Sequence, residues 1–117
     1  MFDLSNDLEL YNGTVAYHIM PIDRQYAFTD GVDALRELIG QSVFIQVFNC
    51  LKSYWNFEHP AIYPTLKIYN GEYHLLFTDD ETGEVVRDQY IAKAPKDAKG
   101  KITFECIHFV WGLISEH

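Results

Sequence analysis

Apolar positions along this chain change their spacing more than once, and each change marks a different kind of element. Between residues 8 and 20, short runs of aromatic and aliphatic residues flank Asn12-Gly13. That dipeptide suits a type I′ turn, in which both central residues take positive φ. The pattern predicts a hairpin, closed by Pro21, which brings no amide donor. Val32, Leu35, Leu38 and Ile39 then recur at helical spacing. Thr29 or Asp30 can cap that helix, Asp33 adds negative charge to its first turn, and Gly40 is placed to end it. Ser42 can cap a second helix reaching about Tyr54. Val43, Phe44, Val47, Phe48 and Leu51 mark its buried face, and Ile45 and Cys50 widen it. A helix apolar over most of its circumference is expected to be central.

From Ile62 the period becomes two. Leu66 and Ile68 alternate with Thr65, Lys67 and Tyr69, Asn70-Gly71 makes a turn, and Tyr73, Leu75 and Phe77 continue on the returning strand. The turn Asp79-Asp80-Glu81-Thr82-Gly83 leads into a third strand, Glu84 to Ile91. Ala92–Gly100 reads as a polar loop, and Lys101–Ile114 as a last strand, with a short helix at its end as the alternative. The order is ββααββββ: an α+β domain, with two helices packed on one face of an antiparallel sheet. At 117 residues, 1–117 reads as one compact domain. With 48% apolar residues, eight Phe, eight Tyr and two Trp, it can bury a core without metal or disulfide.

Cys50 and Cys106 each sit in an apolar run with no CxxC spacing, so both read as small buried hydrophobes. The N-terminal segment has neither the basic nor the apolar region of a signal peptide, and no uncharged apolar run approaches ~18 residues. No membrane association and a reducing cytoplasm are the expectations.

Charge changes the picture most. The chain is −8 overall, and residues 1–92 carry −9, from five basic against fourteen acidic residues. The other lysines, Lys93, Lys96, Lys99 and Lys101, sit together. This balance repels phosphate backbones and attracts basic surfaces. It argues against direct binding of nucleic acid and for a basic protein partner, with the lysine loop lying off the acidic surface.

Candidate chemistry adds little. His18, His59, His74, His108 and His117 show no HxH, HxxxH or HExxH spacing, so no metal set is implied. The Asp79–Glu84 turn has the wrong register for an EF-hand loop. Ser5, Ser42, Ser53, Ser115 and the cysteines lie in no nucleophile motif, and no phosphate-cradling glycine run occurs. The chain reads as a non-enzyme without a cofactor. The most unusual segment is Tyr54–Pro64, where Trp55, Phe57 and Tyr63 lie in a loop that precedes a strand. Such aromatics either lid the core or anchor a partner. Combined with neighbouring acids they would suit a basic partner. The residues selected for partner binding are Asp23, Asp30, Asp33, Trp55, Phe57, Asp79, Asp80 and Glu81.

Several landmarks in order, Tyr11-Asn12-Gly13-Thr14 with Tyr17-His18, Phe28-Thr29-Asp30-Gly31-Val32, Leu66-Lys67-Ile68, Leu76-Phe77-Thr78-Asp79-Asp80 and Arg87-Asp88-Gln89-Tyr90-Ile91, span most of the chain. In these it resembles an uncharacterised family of small proteins encoded by phages, plasmids and related mobile elements. It departs at Thr65-Leu66, where family members tend to carry a Trp, and at Ala92-Lys93-Ala94-Pro95, in place of their Thr-Asp-Phe-Pro. The resemblance implies an α+β fold and a mobile-element origin, and no catalytic residue.

Together these readings lead to an acidic inhibitor of a host nucleic-acid-acting defence protein, of the anti-CRISPR or anti-restriction type. Asp3, Asp7, Glu9, Asp23, Asp30 and Asp33 could mimic phosphates if they share a face. An immunity protein against a nuclease toxin is the alternative. A small-ligand binder or enzyme is the alternative of another class. Homodimerisation stays open.

Overall fold

A computed structural model describes residues 2–79 and 81–116. Helix α1 (Leu4–Leu8) is followed by two short strands, β1 (His18–Ile19) and β2 (Ala27–Phe28), then α2 (Asp30–Ile39) and α3 (Gln41–Tyr54). Six strands complete the chain: β3 (Ala61–Ile62), β4 (Thr65–Tyr69), β5 (Glu72–Thr78), β6 (Val85–Lys93), β7 (Gly100–Ile107) and β8 (Val110–Leu113), with a 3₁₀ turn over Ile114–Glu116. The sheet runs β1-β2-β8-β7-β4-β5-β6, and β3 pairs with β7 beside that path. It is an α+β domain with an open, mixed sheet.

The helices form where local chemistry asks for them. The Thr29 side chain accepts from the Val32 amide at the start of α2, and the Gly40 amide bonds back to the Arg36 carbonyl at its end. Gly31 is required by packing. A Cβ there would meet Glu116 Oε1 and Leu113 Cδ1 at 2.6 Å, because Glu116 reaches back to bond the Gly31 amide (3.1 Å) and the Thr29 hydroxyl (2.5 Å). Helix α3 is central. Its Phe44 stacks on the buried Trp111 at 4.8 Å, and Phe104 meets the same indole edge-on at 5.2 Å.

The Asn70-Gly71 turn forms with both residues at positive φ, and Leu66, Ile68, Tyr73, Leu75 and Phe77 are buried. Five expectations need correction. The hairpin over 8–20 does not form. Asp3 instead caps α1 by accepting from the Ser5 and Asn6 amides, which lets Leu4 and Leu8 bury on one helical face. Leu10 and Val15, 83% and 99% exposed, have no surface to cover, and an Asn-Gly dipeptide alone does not hold a hairpin. Helix α3 starts at Gln41, directly after Gly40, with no side-chain cap from Ser42. Strand β6 runs to Lys93, so the lysine loop is shorter than expected. The final run is two strands turned at His108-Phe109, both at positive φ, and only its end winds into the 3₁₀ turn. The sheet is also not wholly antiparallel, since β2 pairs with β8 in parallel. Among the described residues no helix is long and apolar enough to cross a membrane.

Candidate functional site: an acid-rimmed aromatic cleft

Strand directions sort the acidic residues. β2 runs parallel to β8, and each step from β8 through β7 and β4 to β5 is antiparallel, so β2 and β5 point in opposite directions. Asp30 and Asp33 follow the C-terminal end of β2. Asp79 and Glu81 follow that of β5, at the other end of the sheet. Asp23 precedes β2 and lies at the Asp79 end. The selected acids therefore do not form one face. Lys93 and Gly100 mark the Asp30 end, so the lysine loop shares that end rather than lying away from all the acids.

Several of these acids are already engaged. Asp23 Oδ2 accepts from Lys52 Nζ at 2.7 Å, and Asp33 pairs with Arg36 at 2.8 Å. Asp30 accepts from the Val15 amide at 2.8 Å and meets His18 Nε2 at 3.0 Å. The Lys52 hydrogen bond holds the Asp23 carboxyl below its usual range. The Val15 amide and His18 do the same for Asp30. Trp55 is 4% exposed, donates from Nε1 to the Pro60 carbonyl at 3.1 Å and packs edge-on to Tyr26. It lids the core and presents no ring to a partner.

Phe57 behaves differently. Asn56 closes a tight turn, its backbone exchanging hydrogen bonds with His59 and its Oδ1 accepting from the Glu58 amide at 2.9 Å. Phe57 stands fully exposed on that turn. Beneath the turn opens a cleft of about 530 Å³ between the end of α3, β3 and the β5–β6 turn. Its aromatic wall is a stack, with His59 on Tyr54 at 4.6 Å (10° between planes) and Tyr54 against Phe77 at 4.6 Å. Asp79 and Glu81 contribute to its lining.

Asp79 shapes that rim by accepting from the Glu81 and Thr82 amides at 2.8 and 3.0 Å, with Gly83 at positive φ completing the turn. Those amides hold its carboxyl below the ordinary range, so it is charged at neutral pH. Asp80 lies outside the described residues. Exposed Glu58, Glu81 and Glu84 gather in the same two turns, and among the described residues their carboxylates are in no ion pair. Flat aromatic walls next to carboxylates suit a cation on an apolar stem, as in lysine or arginine. The sequence pointed to both segments. Only the fold brings 54–64 and 79–84 together.

A second cluster lies on the helix-free face. His74 Nδ1 bonds Asp88 Oδ1 at 2.7 Å and its Nε2 bonds Glu72 Oε1 at 2.9 Å, while the Tyr69 hydroxyl donates to Asp88 Oδ2. Tyr69 stacks on the imidazole at 4.1 Å. Burial disfavours the His74 charge, but the hydrogen bonds to Glu72 and Asp88 outweigh it and raise the pKa. Both ring nitrogens are occupied, so the group clamps β4, β5 and β6 and offers no free base or ligand. No spacing in the sequence signals it, because the contacts depend on register.

Among the described residues no group of three or more His, Cys, Asp or Glu side chains is arranged to hold a metal ion. Cys50 and Cys106 are free, and burial pushes both thiols up, Cys106 well above its ordinary value. Comparison with protein-family models, with curated proteins and with solved structures finds no match.

Proposed function

We propose that this chain is an acidic binding protein that seats a basic segment of a partner protein in the cleft between the 54–64 loop and the 79–84 turn. The observation that carries this reading is the meeting, at one end of the sheet, of the Tyr54–His59–Phe77 stack with carboxylates that, among the described residues, are in no ion pair. Phe57 is the exposed apolar anchor, Asp79 and Glu81 attract the basic side chain, and Trp55 supports the loop from below. Asp30 and Asp33 stabilise α2 at the other end and take no part.

The partner class follows from charge. Proteins that grip nucleic acids carry basic channels, and a compact protein of net −8 is steered towards them. With the resemblance to mobile-element proteins, this supports an inhibitor of a nucleic-acid-acting host defence protein. An immunity protein against a nuclease toxin uses the same surface on a different partner. The reading is one of binding, with no catalytic step.

Affinity capture from nuclease-treated host lysate tests it. Wild type is expected to retain one basic nucleic-acid-acting protein. Phe57→Ala combined with Glu81→Lys is expected to lose most of it, since anchors of this kind each carry about 2 kcal/mol or more. Association should slow as salt rises from low to physiological. Retention of nothing, or equal retention by the variant, overturns the assignment. The cleft volume also falls in the range of small-molecule sites, roughly 300–1,000 Å³. A small molecule carried by the purified protein in native mass spectrometry would favour that second reading.

A further inference from the structure

On the reading that the cleft seats a basic segment, we propose that the side chain it selects is arginine rather than lysine, laid flat against Tyr63 and bonded by Asp79 and Glu81. Tyr63 lines the cleft and is 39% exposed. Tyr54 is engaged by His59 and Phe77, whereas among the described residues no ring or cation lies against Tyr63. Ala61, Ile62, Pro64 and Val86 make the lining around it apolar.

Asp79 is built to receive a cation from one side. Its Oδ1 accepts from both the Glu81 and Thr82 amides, at 2.8 and 3.0 Å, while Oδ2 has no hydrogen bond among the described residues. The backbone around it is pinned as well. The Asp79 amide donates to the Glu84 carbonyl and the Gly83 amide to the Asp79 carbonyl, each at 2.8 Å. The open oxygen is therefore held in place without an ion pair. Glu81 lines the same cleft two residues further along the turn.

No positive charge within the cleft offsets these acids. Among the described residues no Lys or Arg lines it. Lys52 is committed to Asp23 at 2.7 Å. Arg87 lies outside the lining, its guanidinium 5.6 Å from the Phe77 ring centre and donating to Gln89 Oε1 at 3.2 Å. It also shows the mode, since the chain already sets one guanidinium of its own on a ring of the aromatic wall.

Geometry separates the two basic side chains. A lysine ammonium is a compact, strongly hydrated point charge, and a cleft walled by rings and aliphatic groups removes its water for few contacts in return. A guanidinium is planar and more weakly hydrated. It lies flat on an aromatic face while the N–H groups along its edge reach two acceptors at once. Asp79 Oδ2 and the Glu81 carboxylate are two such acceptors on one turn.

NMR titration of the labelled protein with Nα-acetyl-arginine amide and, separately, Nα-acetyl-lysine amide tests this with two probes of equal charge. It is run at pH 8, where imidazole is neutral and adds no competing cation. The arginine probe is expected to shift Tyr63, Asp79 and Glu81 resonances and to saturate at several-fold lower concentration than the lysine probe. Asp79→Asn keeps an oxygen for the two turn amides but removes the charge, and should weaken arginine binding about tenfold. Tyr63→Ala should weaken it about threefold, and Tyr63→Phe should not. Asp33→Asn, at the other end of the sheet, should leave it unchanged. The amide spectrum of each variant reports that it is folded. Equal binding of the two probes, no saturable shift with arginine, or undiminished binding in Asp79→Asn overturns the assignment. So does an equal loss in Asp33→Asn, which would mark an unspecific effect of charge. Equal binding of both probes still leaves the cleft a seat for any basic side chain, and the affinity capture decides that reading separately.

Discussion

Strands β4 and β5 supply residues alternately to two faces that are held by different forces. Towards the helices, Leu66, Leu75 and Phe77 are buried, in a core where Phe44 stacks on Trp111 at 4.8 Å and Phe104 meets it edge-on at 5.2 Å. On the other side, His74 bonds both Glu72 and Asp88 and the Tyr69 hydroxyl donates to Asp88, while among the described residues the lysines beside them are in no ion pair. One face is stabilised by removal of apolar area from water and tolerates little change in shape. The other depends on protonation and salt. The difference separates what keeps the domain folded from what it can present to other molecules.

The sharpest way to break the comparison is to truncate each face in turn. Trp111→Ala removes the indole on which Phe44 and Phe104 pack, and should cost about 3–5 kcal/mol in denaturant unfolding. Tyr90→Ala on the open face should cost a small fraction of that. A comparable loss at Tyr90 would show that the open face also bears on folding.

A smaller effect should appear with pH. The folded-state pKa of His74 is raised above 6.5, so its contribution is complete below 6.5 and fades as pH rises through the folded value. The Asp88 carboxyl, held below 3.8 first by the Tyr69 hydroxyl and then by His74, contributes above 3.8 and loses its effect as pH falls through its folded value. The clamp is therefore complete between these limits. Unfolding midpoints should decline on the alkaline side of 6.5 in wild type and stay flatter in His74→Gln. Identical pH profiles would exclude the clamp as a source of stability.

The smallest expected change is a gain. Among the described residues the buried Tyr73 hydroxyl has no hydrogen-bond partner, and burial pushes its pKa up to about 12. Tyr73→Phe should raise stability by about 1 kcal/mol. A loss would mean that the hydroxyl has a partner after all.

Elements whose instructions lie within a few residues were legible beforehand. Thr29 and Gly40 bound α2, the 43–51 stripe marks α3, and Asn70-Gly71 sits between two alternating strands, so the α+β class follows from spacing and caps. The hairpin at Asn12-Gly13 misled because a turn dipeptide needs strands with something to bury, and α1 took Leu4 and Leu8 instead. In the candidate site, the aromatic 54–64 loop and the acidic turn with Asp79 and Glu81 were legible as segments. Trp55 was not distinguishable from Phe57, because burial is set by Tyr26 and Pro60, which arrive from elsewhere in the fold.

By itself, then, the sequence determined α2 and α3, the Asn70-Gly71 turn, the acidic balance and the material for a core, since each depends on composition or on neighbours a few residues away. Tertiary structure alone decided which acids stand together, where His74 finds its carboxylates and why Lys67 faces Lys101. Those outcomes depend on strand order and register. The bulges in β5–β6, between Tyr73 and His74 and between Phe77 and Thr78, shift partners by amounts no local pattern records.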